Sequence, residues 1–170
     1  QNPNGINPHE GNLTFLQSLQ ECYDTCVSLI GLAETNREFG KPEQQKQLKE
    51  AIHKVWSASV IQTSTTDDRF EDNYKPGGTV IVVIEDHWVC RVLEKGDDPW
   101  GLSRWSYTLL GGKGKTKILQ VTGYRVCVSS ESTAGETTAW KQQFNILRGR
   151  LEGQPDPRRQ GIMDMQTWLM

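Results

Sequence analysis

The chain has 170 residues, 35% hydrophobic and 24% charged, a composition typical of one globular domain with a sizeable core. Its formal net charge of −2 gives no global attraction for nucleic acid, so any surface of that kind must be local. No apolar run approaches the ~18 residues of a membrane helix, and no basic-then-apolar leader opens the chain, so we expect no membrane partner.

The cysteines indicate a reducing, intracellular environment. They form no CxxC pair, and no histidine follows at a spacing typical of a tetrahedral zinc site. Scattered cysteines of this kind are typical of buried thiols in a reducing compartment. The four are Cys22, Cys26, Cys90 and Cys127.

The first third of the chain alternates between helical and extended patterns. Apolar residues at helical spacing predict an amphipathic helix within Leu13 to Val27, and the apolar run Val27 to Ala33 predicts a strand buried on both faces. A second helix is expected from Pro42, and Ser57 to Thr63 predicts a second strand. This order suggests alternating α/β layers.

The middle third predicts an antiparallel meander. Its β-branched and aromatic runs are separated by short segments rich in turn-forming residues, which favour antiparallel neighbours and leave no room for crossover helices. The predicted strands are Thr79 to Ile84, Trp88 to Leu93, Trp105 to Leu110 and Lys117 to Tyr124.

The last third returns to helix. An apolar stripe from Trp140 to Leu151 predicts a helix that the following glycine and prolines end. Ile162 to Met170 predicts the start of a further helix that runs out of chain, with Asp164 on its surface.

Two familiar kinds of catalytic site are not indicated. The segment GGKGKT, Gly111 to Thr116, has Leu109 where a phosphate-binding loop needs glycine, and it joins two strands instead of a strand and a helix. Its lysines, Lys113 and Lys115, either contact a phosphate backbone or form a solvated hairpin tip. None of the three histidines lies in a recognisable nucleophile context.

Glu34 is the most suggestive carboxylate, because it directly follows the apolar run Val27 to Ala33. In α/β sheets, ligands collect outside the carboxyl ends of strands, and a carboxylate there suits a hard cation such as Mg²⁺. The alternative is that Glu34 is simply the first solvated residue after the strand.

Four stretches, taken in order, resemble the motifs of one known family. Gln1 to Ile6 (QNPNGI) resembles its Asn-x-x-Gly strand end, and Leu29 to Asn36 (LIGLAETN) its strand ending in Glu-Thr. Tyr74 to Val83 (YKPGGTVIVV) resembles its glycine turn into a strand, and Trp100 to Tyr124 its hairpin ending in an active-site tyrosine. The chain thus resembles the N-terminal part of the endonuclease/exonuclease/phosphatase family, most closely the endonuclease-like domains of mobile elements such as non-LTR retrotransposons.

The resemblance implies a DNase I-like α/β sandwich, with residues 1–170 forming a single partial domain. The family's downstream motifs, Gly-Asp-x-Asn, a later Asp and a closing Asp-His, are not present in this sequence. The chain therefore resembles roughly the first half of a domain, and the resemblance implies that the missing C-terminal half is its partner.

The same resemblance assigns roles to individual residues. Glu34 corresponds to the metal-binding carboxylate, Asn2 to a residue holding the scissile phosphate, and Tyr124 to a residue reaching that phosphate. Asn4 stands where many relatives place a second metal-side Asp, and that change removes a charge. Arg104 corresponds to a residue that contacts the nucleic-acid backbone, which is the least specific of these assignments. The implied cofactor is Mg²⁺ or Mn²⁺.

The resemblance therefore implies a Mg²⁺-dependent endonuclease that acts on nucleic acid, with DNA as the expected substrate. It also implies an intracellular protein, nuclear if the likeness to mobile elements holds. This chain alone is expected to be inactive or nearly so, because it offers no convincing water activator. Two alternatives keep the fold: a degenerate nucleic-acid-binding or interaction module, and a phosphatase acting on a small phosphoester.

Overall fold

The computed structural model describes residues 5–8, 13–67, 77–127 and 130–170. They form a mixed α/β structure with two small antiparallel sheets and flanking helices. The helices are α1 (Leu13–Asp24), α2 (Pro42–His53), α3 (Asp86–Val89), α4 (Ala139–Arg150) and α5 (Pro157–Leu169). The strands are β1 (Leu29–Ala33), β2 (Ser59–Thr63), β3 (Thr79–Ile84), β4 (Val92–Asp97), β5 (Trp105–Gly111) and β6 (Lys117–Gly123).

The first sheet has the order β1-β3-β2, with β3 antiparallel to both neighbours. All six residues of β3, TVIVVI, are buried, which fits a β-branched strand covered on both faces. In β1 only Ile30 and Leu32 are buried and the alternate residues are half-buried. The expectation that β1 is buried on both faces therefore holds in part: Ile30 and Leu32 are buried in the core with the helices, whereas Leu29 and Gly31, covered by the other sheet, are half-buried.

One face of this sheet packs against α1 and α2. Alternate residues of β3, Val80, Val82 and Ile84, join the buried core formed with the helices. The helices contribute the buried residues Phe15, Leu19, Leu48 and Ile52. The other face of β3 presents Ile81 and Val83, which pack against Leu110 of β5.

The second sheet is the meander β4-β5-β6, antiparallel throughout. Its central strand β5 lies over β3, so the two sheets are stacked face to face. At one end the layer between them is polar: the Thr79 hydroxyl lies 2.9 Å from the Ser106 hydroxyl. A strand over Trp88 to Leu93 was also expected, but that segment begins with the last two residues of α3, and β4 begins only at Val92. The meander has three strands instead of the predicted four, because β3 pairs with β1 and β2 in the first sheet.

The last two helices are capped by side chains. Thr138 accepts from the Lys141 N–H at the start of α4, and Asp156 accepts from the Arg158 N–H at the start of α5. Pro157, which was expected only to end the preceding helix, opens α5, since proline suits the first helical turn. Trp168 of α5 packs against Tyr107 of β5, with ring centroids 4.7 Å apart. Among the described residues, no helix has the length and apolarity needed to cross a bilayer.

Candidate functional site

Glu34 lies immediately after β1 and has a left-handed backbone, with φ of 57°. For a residue with a side chain this conformation costs about 1–2 kcal/mol and persists only where the surroundings impose it. The Glu34 carbonyl accepts from the Gly5 N–H at 2.7 Å. On the other side, the N–H groups of Thr35 and Asn36 donate to the carbonyls of Gly78 and Gly77, at 3.2 and 2.6 Å.

The turn Gly77-Gly78, which leads into β3, needs glycine at both positions. Their φ angles are +72° and +74°, in the region that favours glycine. A Cβ on Gly77 would lie 2.3 Å from Cε1 of Tyr124, so the Tyr124 ring packs directly on the turn backbone. A Cβ on Gly78 would lie 2.8 Å from the Thr35 hydroxyl. The glycine pair thus allows the end of β1, the start of β3 and Tyr124 to approach one another.

Tyr124 follows β6, in the second sheet, and its hydroxyl lies 3.5 Å from Oε1 of Glu34. Burial, followed by the negative charge of Glu34, raises the pKa of the Tyr124 phenol well above its usual range. The phenol therefore stays protonated at neutral pH and presents a hydrogen-bond donor beside the carboxylate. The structure thus brings together two of the three residues expected to converge.

The remaining members of the expected site, Asn2 and Asn4, lie outside the described residues, as does Tyr74. The following segment is held next to Glu34: the Ile6 N–H donates to the Thr35 carbonyl at 2.9 Å. Gly5 and Ile6, the described residues of the QNPNGI stretch, therefore lie next to the backbone of Glu34 and Thr35.

Two positioning residues at this site were missed by the sequence reasoning. Thr35 is fully buried and its hydroxyl donates to the Gly77 carbonyl at 3.2 Å. Arg37 holds the segment 5–8, since its Nε donates to the Ile6 carbonyl at 2.6 Å and its Nη2 to Asn7 at 2.7 Å. Both lie within three residues of Glu34 in the sequence, and Thr35 belongs to the Glu-Thr strand end, although no role had been assigned to either residue.

The carboxylate of Glu34 is a suitable ligand for a hard divalent cation. Mg²⁺ is commonly held by one or two carboxylates together with substrate phosphates and water, and Glu34 supplies one half-buried carboxylate. Within the ranges that the structure describes, no three His, Cys, Asp or Glu side chains are grouped as a metal site. Glu34 is therefore the residue that would hold such an ion here, with Tyr124 as a neighbouring donor.

Arg104 is only 3% exposed, although it also contributes to the lining of a cavity beside Tyr124. Its Nε lies 2.6 Å from Asp98 and its Nη1 2.6 Å from Asp164. These carboxylates raise the pKa of Arg104, although burial, the largest influence, acts to lower it. Its contacts are those of a buried structural ion pair, and they account for it without a nucleic-acid backbone. Asp164, expected at the helix surface, is buried for the same reason.

Lys113 and Lys115 are exposed at the tip of the β5–β6 hairpin, which a bond from the Gly112 N–H to the Thr116 carbonyl closes at 2.8 Å. Tyr124 follows the opposite end of β6. The strand Lys117–Gly123 separates the two ends by about 20 Å at ~3.3 Å per residue. The tip lysines therefore do not belong to the site of Glu34 and Tyr124.

Comparison of the chain with protein-family models, curated proteins and solved structures found no match.

Proposed function

We propose that the chain is part of a Mg²⁺-dependent phosphodiesterase acting on nucleic acid, with a DNase I-like fold. The observation that carries the proposal is the approach of the Tyr124 hydroxyl to the Glu34 carboxylate, 3.5 Å apart at the ends of strands in two stacked sheets. A carboxylate for a metal and a neutral donor for a phosphate oxygen are two of the groups that this chemistry needs.

Each residue has a defined task in this proposal. Glu34 holds the metal ion, which when bound acts as a Lewis acid on a phosphate oxygen. Tyr124, whose pKa burial and Glu34 raise further above neutral pH, donates a hydrogen bond to a phosphate oxygen and stabilises the charge that develops there. The left-handed backbone of Glu34 is held by the bond from the Gly5 N–H to its carbonyl and by the bond from the Asn36 N–H to the Gly77 carbonyl. Asn2 and Asn4 remain expected members of the site.

The test is nicking of supercoiled plasmid DNA in MgCl₂ by the complete polypeptide that carries these residues. Glu34→Gln keeps the shape of the side chain and removes its charge, and we expect a rate at least ~10²-fold lower, as for the loss of one group that stabilises the transition state. Glu152→Gln is the matched control, because Glu152 is exposed after α4. It should leave the rate unchanged.

Three outcomes would contradict the proposal in different ways. A rate unaffected by Glu34→Gln would remove the metal assignment. DNA binding without nicking at any Mg²⁺ concentration would instead indicate a degenerate binding module. Release of phosphate from a small phosphoester, with plasmid left intact, would indicate a phosphatase.

A further inference from the structure

Beside Tyr124, two adjoining cavities form a continuous groove. The first, about 230 Å³, is lined by Tyr124, Arg125 and Arg158. The second, about 550 Å³, is lined by Arg125, Arg158 and Arg159. Because the two share lining residues, the groove runs without a break from Tyr124, after β6, to the first turn of α5. The volume of the second cavity is in the range of ordinary ligand-binding clefts.

We call this feature the arginine groove: Arg125, Arg158 and Arg159, over an apolar wall formed by Trp140 and Phe144. The two aromatic rings are stacked, with centroids 5.1 Å apart. This wall belongs to a buried cluster of α4. The apolar wall of the groove is therefore held in place by buried packing of α4.

The charges of the arginine groove are not matched within the described part of the chain. None of its three guanidinium groups forms an ion pair with a described carboxylate, whereas Arg104 is paired with two. Two acidic residues also line the second cavity, which therefore has three arginines against two carboxylates. Glu131 lies 3.3 Å from Arg148, and Asp156 accepts the Arg158 backbone N–H at 2.9 Å.

Arg158 gives the most specific indication that the groove binds an anion. Its Nε is buried and has no hydrogen-bond partner among the described residues. A buried donor left unsatisfied is costly, and more so when it is charged. An anionic oxygen entering the groove would supply the missing acceptor, and the planar guanidinium fork matches a phosphate in particular.

We propose that the arginine groove binds the phosphodiester backbone of one nucleic-acid strand and leads that strand to Tyr124 and Glu34. A positively charged groove that follows the backbone is a common mode of binding single strands. The inference rests on the proposed function for the choice of nucleic acid over other phosphate-bearing ligands. It differs from the expectation for Lys113 and Lys115, because it moves the backbone contact from the hairpin tip to the groove next to Tyr124.

The experiment measures binding of the 170-residue chain to a fluorescein-labelled oligothymidylate of about 12 nucleotides, within the usual site sizes for single strands. Fluorescence anisotropy is recorded in EDTA over a series of salt concentrations, so that no metal ion contributes. The test variant is Arg125→Ala with Arg159→Ala. The matched control, Lys113→Ala with Lys115→Ala, removes the same charge from residues that are also exposed. Circular dichroism establishes that each variant is folded.

We expect the arginine double variant to bind about tenfold or more weakly, as for the loss of charged hydrogen bonds. Because two phosphate contacts are lost, the salt slope of log K should fall by about 1.4, at ~0.7 per single-strand contact. The lysine control should change affinity by less than about twofold, as surface substitutions usually do. Arg158→Ala should weaken binding further, whereas Arg158→Lys should restore only part of the affinity, since it keeps the charge and loses the fork.

Equal losses of affinity in the two double variants would refute binding in the groove, because they would indicate general electrostatic attraction. So would unchanged binding in the arginine variant, or no binding of the wild-type chain at low salt. These failures are distinct from failure of the proposed function, because strand binding is measured in EDTA without a metal ion, whereas nicking is measured separately in MgCl₂. If the groove binds the strand but the complete polypeptide does not nick plasmid DNA, the groove proposal stands and the proposed hydrolase activity is refuted.

Discussion

Gly77→Ala should destabilise the protein by forcing the Tyr124 ring away from the turn beside Glu34. The new Cβ would lie 2.3 Å from Cε1 and 2.4 Å from Cδ1 of Tyr124, distances at which atoms must move. The φ of +72° adds backbone strain, because only glycine adopts it readily. Both penalties act at one residue, and a control can separate them.

The size of the effect follows from three contributions. A left-handed alanine costs about 1–2 kcal/mol, and an overpacked methyl group costs about 1–3 kcal/mol. Reduced freedom of the unfolded chain returns about 0.4–1 kcal/mol. The free energy of unfolding should therefore fall by about 1–5 kcal/mol, a substantial part of the ~5–15 kcal/mol typical of native proteins.

Urea unfolding followed by circular dichroism measures this change, and Gly114→Ala is the matched control. Gly114 has a similar φ of +67° but no atom within 4 Å of its would-be Cβ, so it has the strain without the collision. We expect Gly77→Ala to be the more destabilising by about 1–3 kcal/mol, the overpacking cost alone. When Tyr124→Ala is combined with Gly77→Ala, part of that difference should be recovered, because the collision is removed. Equal effects in the two glycine variants, or no coupling to Tyr124, would refute the packing of the ring on the turn.

Two further predictions concern ionisation and buried charge. Because the pKa of Tyr124 is raised above the ordinary 10.0 by burial and by Glu34, the stability that it contributes should be present below pH 10 and lost as pH rises above that value. The phenolate difference spectrum against Tyr124→Phe measures this ionisation, and Glu34→Gln should move it to lower pH; an unshifted titration would contradict the pairing. Asp164→Ala should cost about 3 kcal/mol, since it leaves Arg104 buried with one carboxylate in place of two. Thermal or urea unfolding checks this, and a loss below ~1 kcal/mol, typical of an exposed pair, would contradict a buried ion pair.

Elements with strong local patterns were predictable from the sequence. The β-branched run Thr79–Ile84 is a strand with the expected bounds, and Pro42 opens a helix as its first-turn preference indicates. The segment Trp88 to Leu93 was predicted wrongly as one strand: its apolar and aromatic residues suit a strand, but it begins in the short helix α3 and only its last two residues belong to β4. Helix and strand compete closely in such short apolar runs, and packing decides between them.

The candidate site was predictable only in part, because its contacts join residues far apart in the chain. That Glu34 follows a strand is visible in the sequence, but its left-handed backbone depends on Gly5 and on the turn at Gly77. The burial of Arg104 was not predictable, because its partner Asp164 is 60 residues away and had appeared to be a surface residue. The sequence alone does not indicate whether the charge of an arginine is matched. Arg158, which has no ion-pair partner in the described part of the chain, was missed for the same reason.

The arrangement around Glu34 explains why its geometry depends on the stacking of the two sheets. Its backbone is fixed by the first sheet and the segment before α1, whereas its neighbouring donor, Tyr124, comes from the second sheet. A shift of one sheet relative to the other would therefore separate hydroxyl and carboxylate without disturbing either strand. The buried bond between Thr79 and Ser106 opposes such a shift, since sliding would leave both hydroxyls unsatisfied between the sheets. The polar layer between the sheets thus has a physical role at this end of the sandwich: it fixes the relative position of two strands whose ends carry the candidate site.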